Sequence, residues 1–494
     1  MHRFLYVIPI LILLSCATTK PPKQEFRGVW IATVANIDWP KHPQDNVAKK
    51  KKDFIDILEF YQNLNFNAAI VQVRTAGDAL YPTALAPWSR YLSGTEGEAP
   101  KGFDKPLEWM ISETHKRGME FHAWLNPYRA TVNLDTSKLS ETHDYFQHPD
   151  WIVSYGNKNY YNPGLPEVRE KFNQIIEELV TNYEVDAIHF DDYFYPYKVE
   201  GETFDDAEAY STYALPGQSL EDWRRSNVDS LVKSVHGTIK KHKPWVQFGI
   251  SPFGVWKNRD TDPRGSDTKA GQTTYEDLYA DPILWVQQGW LDYLAPQVYW
   301  SMDYPVASHK VITTWWAEHA PNTHLYIGNG TYKIKNNADK AWEKTREIPK
   351  QLTFARNLAN IDGNIFFSAK SLMGKHQKVN QKIQKKLYRL PAENPGPLNQ
   401  VVRQLQLPAI NSATLNSQTL NICISHVDGI PRFLNLYRPG KEGPQLIGKQ
   451  YLSENDIEGC YEFDLDKKYL REDIMIGVSD AYGNKSGLQI IQTN

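Results

Sequence analysis

Cysteine is nearly missing from this chain: three occur in 494 residues. Cys16 lies in the amino-terminal apolar segment, which leaves Cys423 and Cys460 for any bridge. One disulfide in an oxidising compartment and two buried free thiols both fit that count. Excess positive charge is missing too. Lys and Arg number 55 against 58 Asp and Glu, a formal net charge of -3. That balance argues against a nucleic-acid partner held by phosphate neutralisation. There is no HExxH, no Cys/His pair at zinc spacing, no GxSxG elbow, no P-loop and no dinucleotide fingerprint. Zinc hydrolysis, serine hydrolysis and nucleotide chemistry therefore lack their usual carriers. Ser251 in "GISPFG" has no elbow around it, and "HFDD" is the one foothold for a metal competitor. No cofactor and no metal is expected. No internal repeat occurs, and "KKKK" at Lys49 to Lys52 reads as a solvated helix start.

What is present begins with a targeting segment. "MHRFLYVIPILILLSC" has a short basic start, an apolar run from Phe4 to Leu14 and a small residue before Cys16. The run is too short for a comfortable span of ~20 residues. "LLSC" is similar to the lipobox of bacterial lipoproteins, in which cleavage leaves a lipid-modified cysteine as the new first residue. The alternative is an ordinary signal peptide with an incidental cysteine. The expectation is a signal over 1–15, a tether over 16–25, and a protein lipid-anchored through Cys16 in a bacterial envelope, facing periplasm or exterior.

Eight short apolar runs follow: "RGVWIATV", "FNAAIVQVR", "EFHAWLNPY", "VDAIHFDDY", "VQFGISPFGVW", "YLAPQVYW", "HLYIGNGTY" and "NIFFSAKSL". Amphipathic segments such as "PEVREKFNQIIEELVTNY" separate them. Strands alternating with helices predict a parallel sheet, closed as a (β/α)8 TIM barrel over 26–390, with an open doubly wound sheet as the competitor. Parity supports closure, because successive strand side chains face opposite sides. If the apolar set packs outward on helices, then Gln72 and Arg74, His122, Trp124 and Asn126, His189 and Asp191, and Gln297 and Tyr299 all point inward. Polar groups thus gather towards the carboxyl ends of the strands, where barrel enzymes place their sites. For His122 and His189 a hydrogen-bonded barrel interior explains the pattern equally well. "PAENPGPLNQ", over 391–400, is a proline-rich break. After it, 401–494 carries five short strand candidates between turn residues, the grammar of a small β-sandwich.

The stretch "VDAIHFDDYFYP" concentrates the chemistry. Asp191 is its last inward residue, with Arg74 placed to keep it ionised. Asp192 joins it only if the backbone has already turned; two close carboxyls would then push one pKa upward, as a general acid requires. Asp78 is the alternative acid, and backbone capping is the structural alternative for both Asp191 and Asp192. A buried ion pair at the barrel mouth is the alternative for Arg74. Asp38, Asn126, Arg129, Tyr193, Gln297, Tyr299, Asp303 and Asn329 fall at or after strand ends. Trp39, Trp256 and Trp300 are expected as sugar-stacking platforms, and Trp30 and Trp124 as core. Carboxyl groups with flat hydrophobic faces are the equipment of glycoside hydrolysis.

"EFRGVWIATVANIDWP", "VQVRTAGDALYP", "WLNPYR", "VDAIHFDDYFYP" and "LAPQVYW", in this order, resemble the glycosyl-hydrolase-like family ten of bacterial envelope proteins. The resemblance covers about three quarters of the chain. It implies a TIM-barrel glycosidase without a cofactor, acting on an N-acetylhexosamine-containing envelope glycan such as peptidoglycan strands stripped of peptides. Asp191, Asp192 and Asp78 are its catalytic candidates. Arg74, Trp39, Asn126, Arg129, His189, Tyr193, Gln297, Tyr299, Trp300 and Asn329 are its binding candidates. The module after the barrel is similar in pattern to a fibronectin type III domain. Asp186 and Asp191 also echo a chitinase signature whose final glutamate this chain lacks. That missing glutamate motivates the alternative, a lipid-anchored glycan-binding scaffold with an inactive barrel.

Overall fold

A closed barrel of eight parallel strands organises the chain. The computed structural model describes residues 24–491 apart from 375, 399–402, 426–428, 442 and 453–457. Cys16 and its signal segment lie outside these. The barrel strands are β1 (Phe26–Ile31), β2 (Ala68–Arg74), β3 (Glu120–Leu125), β4 (Ala187–Phe190), β5 (Gln247–Ile250), β6 (Tyr293–Leu294), β7 (His324–Asn329) and β8 (Gly363–Phe366). Each pairs with its chain neighbours, and β8 closes on β1 through Phe26 opposite Gly363. β6 is short because Pro296 has no N–H to give a ladder. Outside run α1 (Val47–Gln62), α2 (Pro106–His115), α3 (Pro166–Asn182), α4 (Leu220–His242), α5 (Pro282–Gln287), α6 (His309–His319) and α7 (Glu347–Arg356).

The two hydrophobic clusters of the barrel follow strand parity. Val71, Val73, Phe121, Ala123, Ile188 and Phe190 pack outward with helix residues such as Phe172 and Ile176. Trp30, Ile70, Trp124, Ala187, Tyr293 and Ile365 fill the interior. In α3, Val168, Phe172, Ile175, Ile176 and Leu179 recur on one face, which is why that segment folds as a helix against the barrel. Removing one such aromatic, Phe172→Ala, costs about 3–5 kcal/mol. Gly249 has a packing reason, since a Cβ there would collide with the Tyr293 ring lying across β5.

Some local expectations change. Lys50 is buried, its ammonium donating to the carbonyls of Pro43 and Leu92 at 2.8 Å each, so "KKKK" is not solvated throughout. Glu25, expected in the tether, is buried and pairs with Arg27 and Arg356 beneath the barrel.

The carboxyl-terminal unit is a β-sandwich with its own core, from Leu405 to Ile491. One sheet holds β9 (Ala409–Asn416), β10 (Thr419–Ser425) and β13 (Glu458–Asp464). The other holds β11 (Pro431–Arg438), β12 (Gln445–Tyr451), β14 (Met475–Asp480) and β15 (Gln489–Ile490). β9 and β15 were not anticipated; half-exposed edge strands carry little apolar alternation. Cys423 and Cys460 sit opposite each other on β10 and β13 and form a disulfide. The sandwich docks on the barrel floor, where Asp186 takes His115 Nε2 at 2.7 Å, the Phe121 N–H at 2.8 Å and Arg432 Nε at 3.6 Å. His115 stacks on Tyr451 with centroids 3.6 Å apart.

Candidate active site

Strand β4 ends at Phe190, and the next two residues carry the central carboxyl groups. Asp191 lines a cleft of about 290 Å³ at the carboxyl ends of the strands. Its Oδ1 accepts the Asp192 N–H at 2.8 Å and Gln297 Nε2 at 3.0 Å. Gln297 also donates to the Ser251 carbonyl at 3.0 Å, which fixes its orientation. Asp192 lies behind Asp191, 1 % exposed, so the chain has turned at the strand tip and the two carboxyl groups meet. Burial, the charge of Asp191 and a hydrogen bond between the carboxyls push the Asp192 pKa well above the usual range. The Tyr197 hydroxyl donates to Asp192, and Gln297 contributes a weaker stabilisation of its charge. Asp192 therefore holds its proton more tightly than an ordinary carboxyl group does.

Aromatic groups wall the cleft. Tyr299 stacks over Phe367 at 6.0 Å, and Trp30 meets Phe367 edge-on at 6.2 Å. Tyr193 and Tyr197 line the cleft too, their rings 5.7 Å apart, with the Arg129 guanidinium 4.1 Å from the Tyr193 centroid. Flat aromatic faces around a carboxyl pair suit a sugar and acid catalysis on it.

Beneath the cleft runs a polar column whose proton positions follow from one donor. The Trp30 indole can only donate, so His189 Nε2, at 3.1 Å, accepts. The His189 pKa is lowered well below its ordinary value by burial and by nearby His122, so the ring is neutral and its proton sits on Nδ1. Nδ1 lies 3.0 Å from the Tyr293 oxygen, and that hydroxyl can donate to a neutral His122 at Nδ1, 2.9 Å away. His122 Nε2 ends the column at Glu120, 3.1 Å away.

A family model described as Glycosyl hydrolase-like 10 matches residues 25–344. This chain belongs to that family. It is 48% identical over 376 residues to "Glycosyl hydrolase YngK" of Bacillus subtilis (strain 168), covering 75% of this chain and 73% of that protein. It is 40% identical over 374 residues to "Glycosyl hydrolase DigH" of Escherichia coli (strain K12), covering 71% and 84%. Among solved structures, the PgaB (BpsB) glycoside hydrolase domain from Bordetella bronchiseptica aligns at a TM-score of 0.47 and 11% identity, over 73% of this chain and 99% of that one.

In this Glycosyl hydrolase-like 10 member the cleft gathers Asp191, Arg129, Tyr193, Gln297 and Tyr299, with Asp192 directly behind. Other sequence candidates lie elsewhere. Arg74 does not reach Asp191: a bulge between Gln72 and Arg74 pairs Arg74 with outward-facing Leu125. It lies beside Tyr161, 6.0 Å from the ring centroid, and one β-bulge has reversed its face. Asp78 braces its own loop, accepting from the Thr75 and Ala76 N–H groups at 3.1 and 3.0 Å. Asn126 donates to the Thr75 carbonyl at 3.0 Å, and Asn329 to Ile327 and Asn364, both fully buried. His189 sits one layer below the cleft in the column. Trp39 and Trp256 are core, their indoles donating to Lys50 and Asp281. Trp300 packs edge-on against Phe253 at 5.6 Å, away from the cleft lining. Asp186 belongs to the floor. Asp38 ties β1 to the segment after β8, accepting from Ala32 N–H and Ser368 Oγ at 2.8 Å. Among the described residues, no group of three or more His, Cys, Asp or Glu side chains is placed to hold a metal ion.

Phe367 and Tyr332 also line the cleft without having been anticipated. Phe367 was within reach, because Ile365 faces inward and Phe366 outward, so parity returns Phe367 to the interior. Tyr332 sits in a 3-10 turn after β7, where no period marks a face.

Proposed function

We propose that this chain is a glycoside hydrolase cleaving an N-acetylhexosamine-containing cell-envelope glycan, peptide-free peptidoglycan strands in particular. One observation carries the reading: Asp191 reaches the cleft with the buried Asp192 carboxyl, raised in pKa, hydrogen-bonded behind it. Carboxyls that flank a scissile bond stand ~5–5.5 Å apart in retaining and ~6.5–9.5 Å in inverting enzymes. Two carboxyls in mutual contact instead act as one acid, whose proton is delivered at Asp191. Asp191 is also the one carboxylate among the described residues lining the cleft. The second reacting group is then the substrate's own acetamido carbonyl. Asp191 protonates the glycosidic oxygen with the one proton of the pair, relayed from Asp192, which leaves both carboxyls ionised. The C1–O bond breaks as the acetamido oxygen attacks C1, giving an oxazolinium ion and the free leaving alcohol. Water, deprotonated by Asp191, reopens that ring with net retention. Tyr299 and Phe367 hold the sugar faces, and Gln297 aims Asp191.

Purified protein with amidase-treated peptidoglycan is expected to release reducing ends, and Asp191→Asn to abolish the release. A sugar thiazoline, which mimics the oxazolinium ion, is expected to inhibit competitively. Wild type and variant equally inert on intact and peptide-free glycan overturns the hydrolase; binding without product returns the protein to a scaffold role. The envelope setting goes with a lipid at Cys16, tested by palmitate labelling that Cys16→Ser removes. The sandwich, fibronectin type III-like in its seven-strand pattern, serves to cover the barrel floor.

A further inference from the structure

Past Tyr193 and Tyr197 the cleft continues into a second cavity of about 570 Å³, and Arg129 lines both. Its far wall is the hairpin of Ile152–Tyr155 and Lys158–Tyr161, which contributes Tyr155, Lys158 and Tyr160. Arg129 is 8 % exposed, its Nε has no hydrogen-bond partner, and it forms no ion pair among the described residues. Lys158 likewise has no carboxylate partner among the described residues; its ammonium donates to Asn157 Oδ1 at 2.8 Å. Burial and then the charge of Arg129 lower the Lys158 pKa, so the two cations already disfavour one another. The one acid lining this cavity, Glu202, is exposed, and its Oε2 accepts the Gly156 N–H at 2.7 Å. Asp191 lines the first cleft and not this cavity, and it is bonded to Gln297 and the Asp192 N–H.

A buried guanidinium with an orphaned N–H is costly, and a second ammonium in the same cavity raises the cost. Other buried arginines meet an acid, Arg27 and Arg356 at Glu25 and Arg224 at Asp206, while Arg74 shares with Arg129 the lack of one among the described residues. Among the described residues no carboxylate pairs with Arg129, and a ligand anion would answer it. Tyrosine faces beside the cations suit a sugar ring bearing that anion, and a guanidinium fork matches a planar carboxylate.

We propose that this second cavity is a subsite for a sugar carrying a free carboxylate, close along the glycan to the cleaved bond, with Arg129 and Lys158 holding the carboxylate and Tyr155 and Tyr160 the ring. The proposal rests on the glycosidase reading for its neighbour but is tested by binding alone. The carboxylate has two chemical sources, an ether-linked lactate on an N-acetylhexosamine or a uronic acid. Converting it to an amide, as a peptide substituent does, removes the charge and the affinity. The subsite therefore selects unsubstituted acidic glycans.

The test is calorimetric titration of the Asp191→Asn protein, which binds without turnover. The ligands are an N-acetylmuramic-acid-containing glycan, its methylamide, a neutral chito-oligosaccharide and a uronic-acid oligosaccharide. The acid form is expected to bind at least about ten-fold more tightly than its methylamide, with the preference falling as salt rises. Lys158→Glu, on a half-buried hairpin where circular dichroism should show the fold intact, is expected to erase that preference. Tighter binding of the muramic arm identifies the lactate as the source, and tighter binding of the uronic arm the uronic acid. Equal affinity for acid and methylamide, no measurable binding of either, or a preference that survives Lys158→Glu overturns the subsite. Turnover by wild type is read separately: an inert protein that still prefers the acid keeps the subsite and loses the hydrolase.

Discussion

The two ends of the barrel bury charge in opposite ways. At the floor every buried ion has a protein partner: Glu25 with Arg27 and Arg356, Asp186 with His115 and Arg432. At the mouth, Asp191 and Asp192 bring two carboxyl groups together, and Arg129 has no ion pair among the described residues. Both ends are walled by aromatics, so shielding from water does not distinguish them. What distinguishes them is compensation. Paired burial holds the domains together, whereas uncompensated burial stores free energy that a substrate can release.

The comparison breaks if mutations at the two ends behave alike. The largest effects are expected from removing a carboxyl. Asp191→Asn should cost about 10³-fold or more in kcat while leaving Tm nearly unchanged. Asp186→Ala should do the reverse, losing about 3–5 kcal/mol of stability by stranding Arg432 and His115, with kcat of the folded fraction retained. Denaturant titration beside kinetics reads both.

Next in size is the pH dependence. Asp186 sits below the ordinary value: although burial works to raise it, His115 and Arg432 hold it ionised. Its stabilisation is complete above the unfolded carboxyl pKa near ~4 and is lost as pH falls through the lower folded value. Asp192 sits above the ordinary value, so the folded state binds its proton more tightly than the unfolded state. Its effect on stability is unfavourable as pH rises from ~4 through that raised value. Thermal melts across pH should therefore show Asp186→Asn flattening the acid slope and Asp192→Asn flattening the alkaline one. One slope changed by both variants would join the two ends into a single network. Asp192→Asn should also cost about 10²–10⁴-fold in kcat.

Smaller still is Tyr197→Phe. The hydroxyl stabilises the charged form of Asp192, so losing it raises the pKa further and moves the alkaline limb of kcat upward. The smallest effect at the mouth belongs to the sandwich disulfide. Cys423→Ser removes a cross-link closing 37 residues of chain, worth about 2–4 kcal/mol to the sandwich, and should leave kcat where it was.

How far the sequence could be read divides along the same line. Parity alone put Val71 and Ile188 outside and Trp124 and His189 inside, and eight strand–helix alternations predicted the closed barrel found. These are periodic facts, and periodicity is visible in one dimension. Arg74 was misread because a single bulged residue reverses every face beyond it, and no residue in "VQVRTAG" announces the bulge. Trp39 was misread because position at a strand end does not tell an indole whether a helix will cover it; α1 does, through Lys50. The turn at Asp192 was posed as a condition, and its resolution needed the backbone. Of the mouth's cations, Arg129 was legible as a strand-end residue. Lys158 was not, since its hairpin is an insertion that no barrel rhythm foretells.

The column from Trp30 to Glu120 has one further property. With both histidines neutral, an indole that can only give sets the direction for every group below it, and each passes its hydrogen the same way. The barrel axis therefore carries a polarity as definite as that of a helix, although it is assembled from side chains of four strands. Reading the tautomer of either histidine by nitrogen NMR would report the orientation of the whole stack at once.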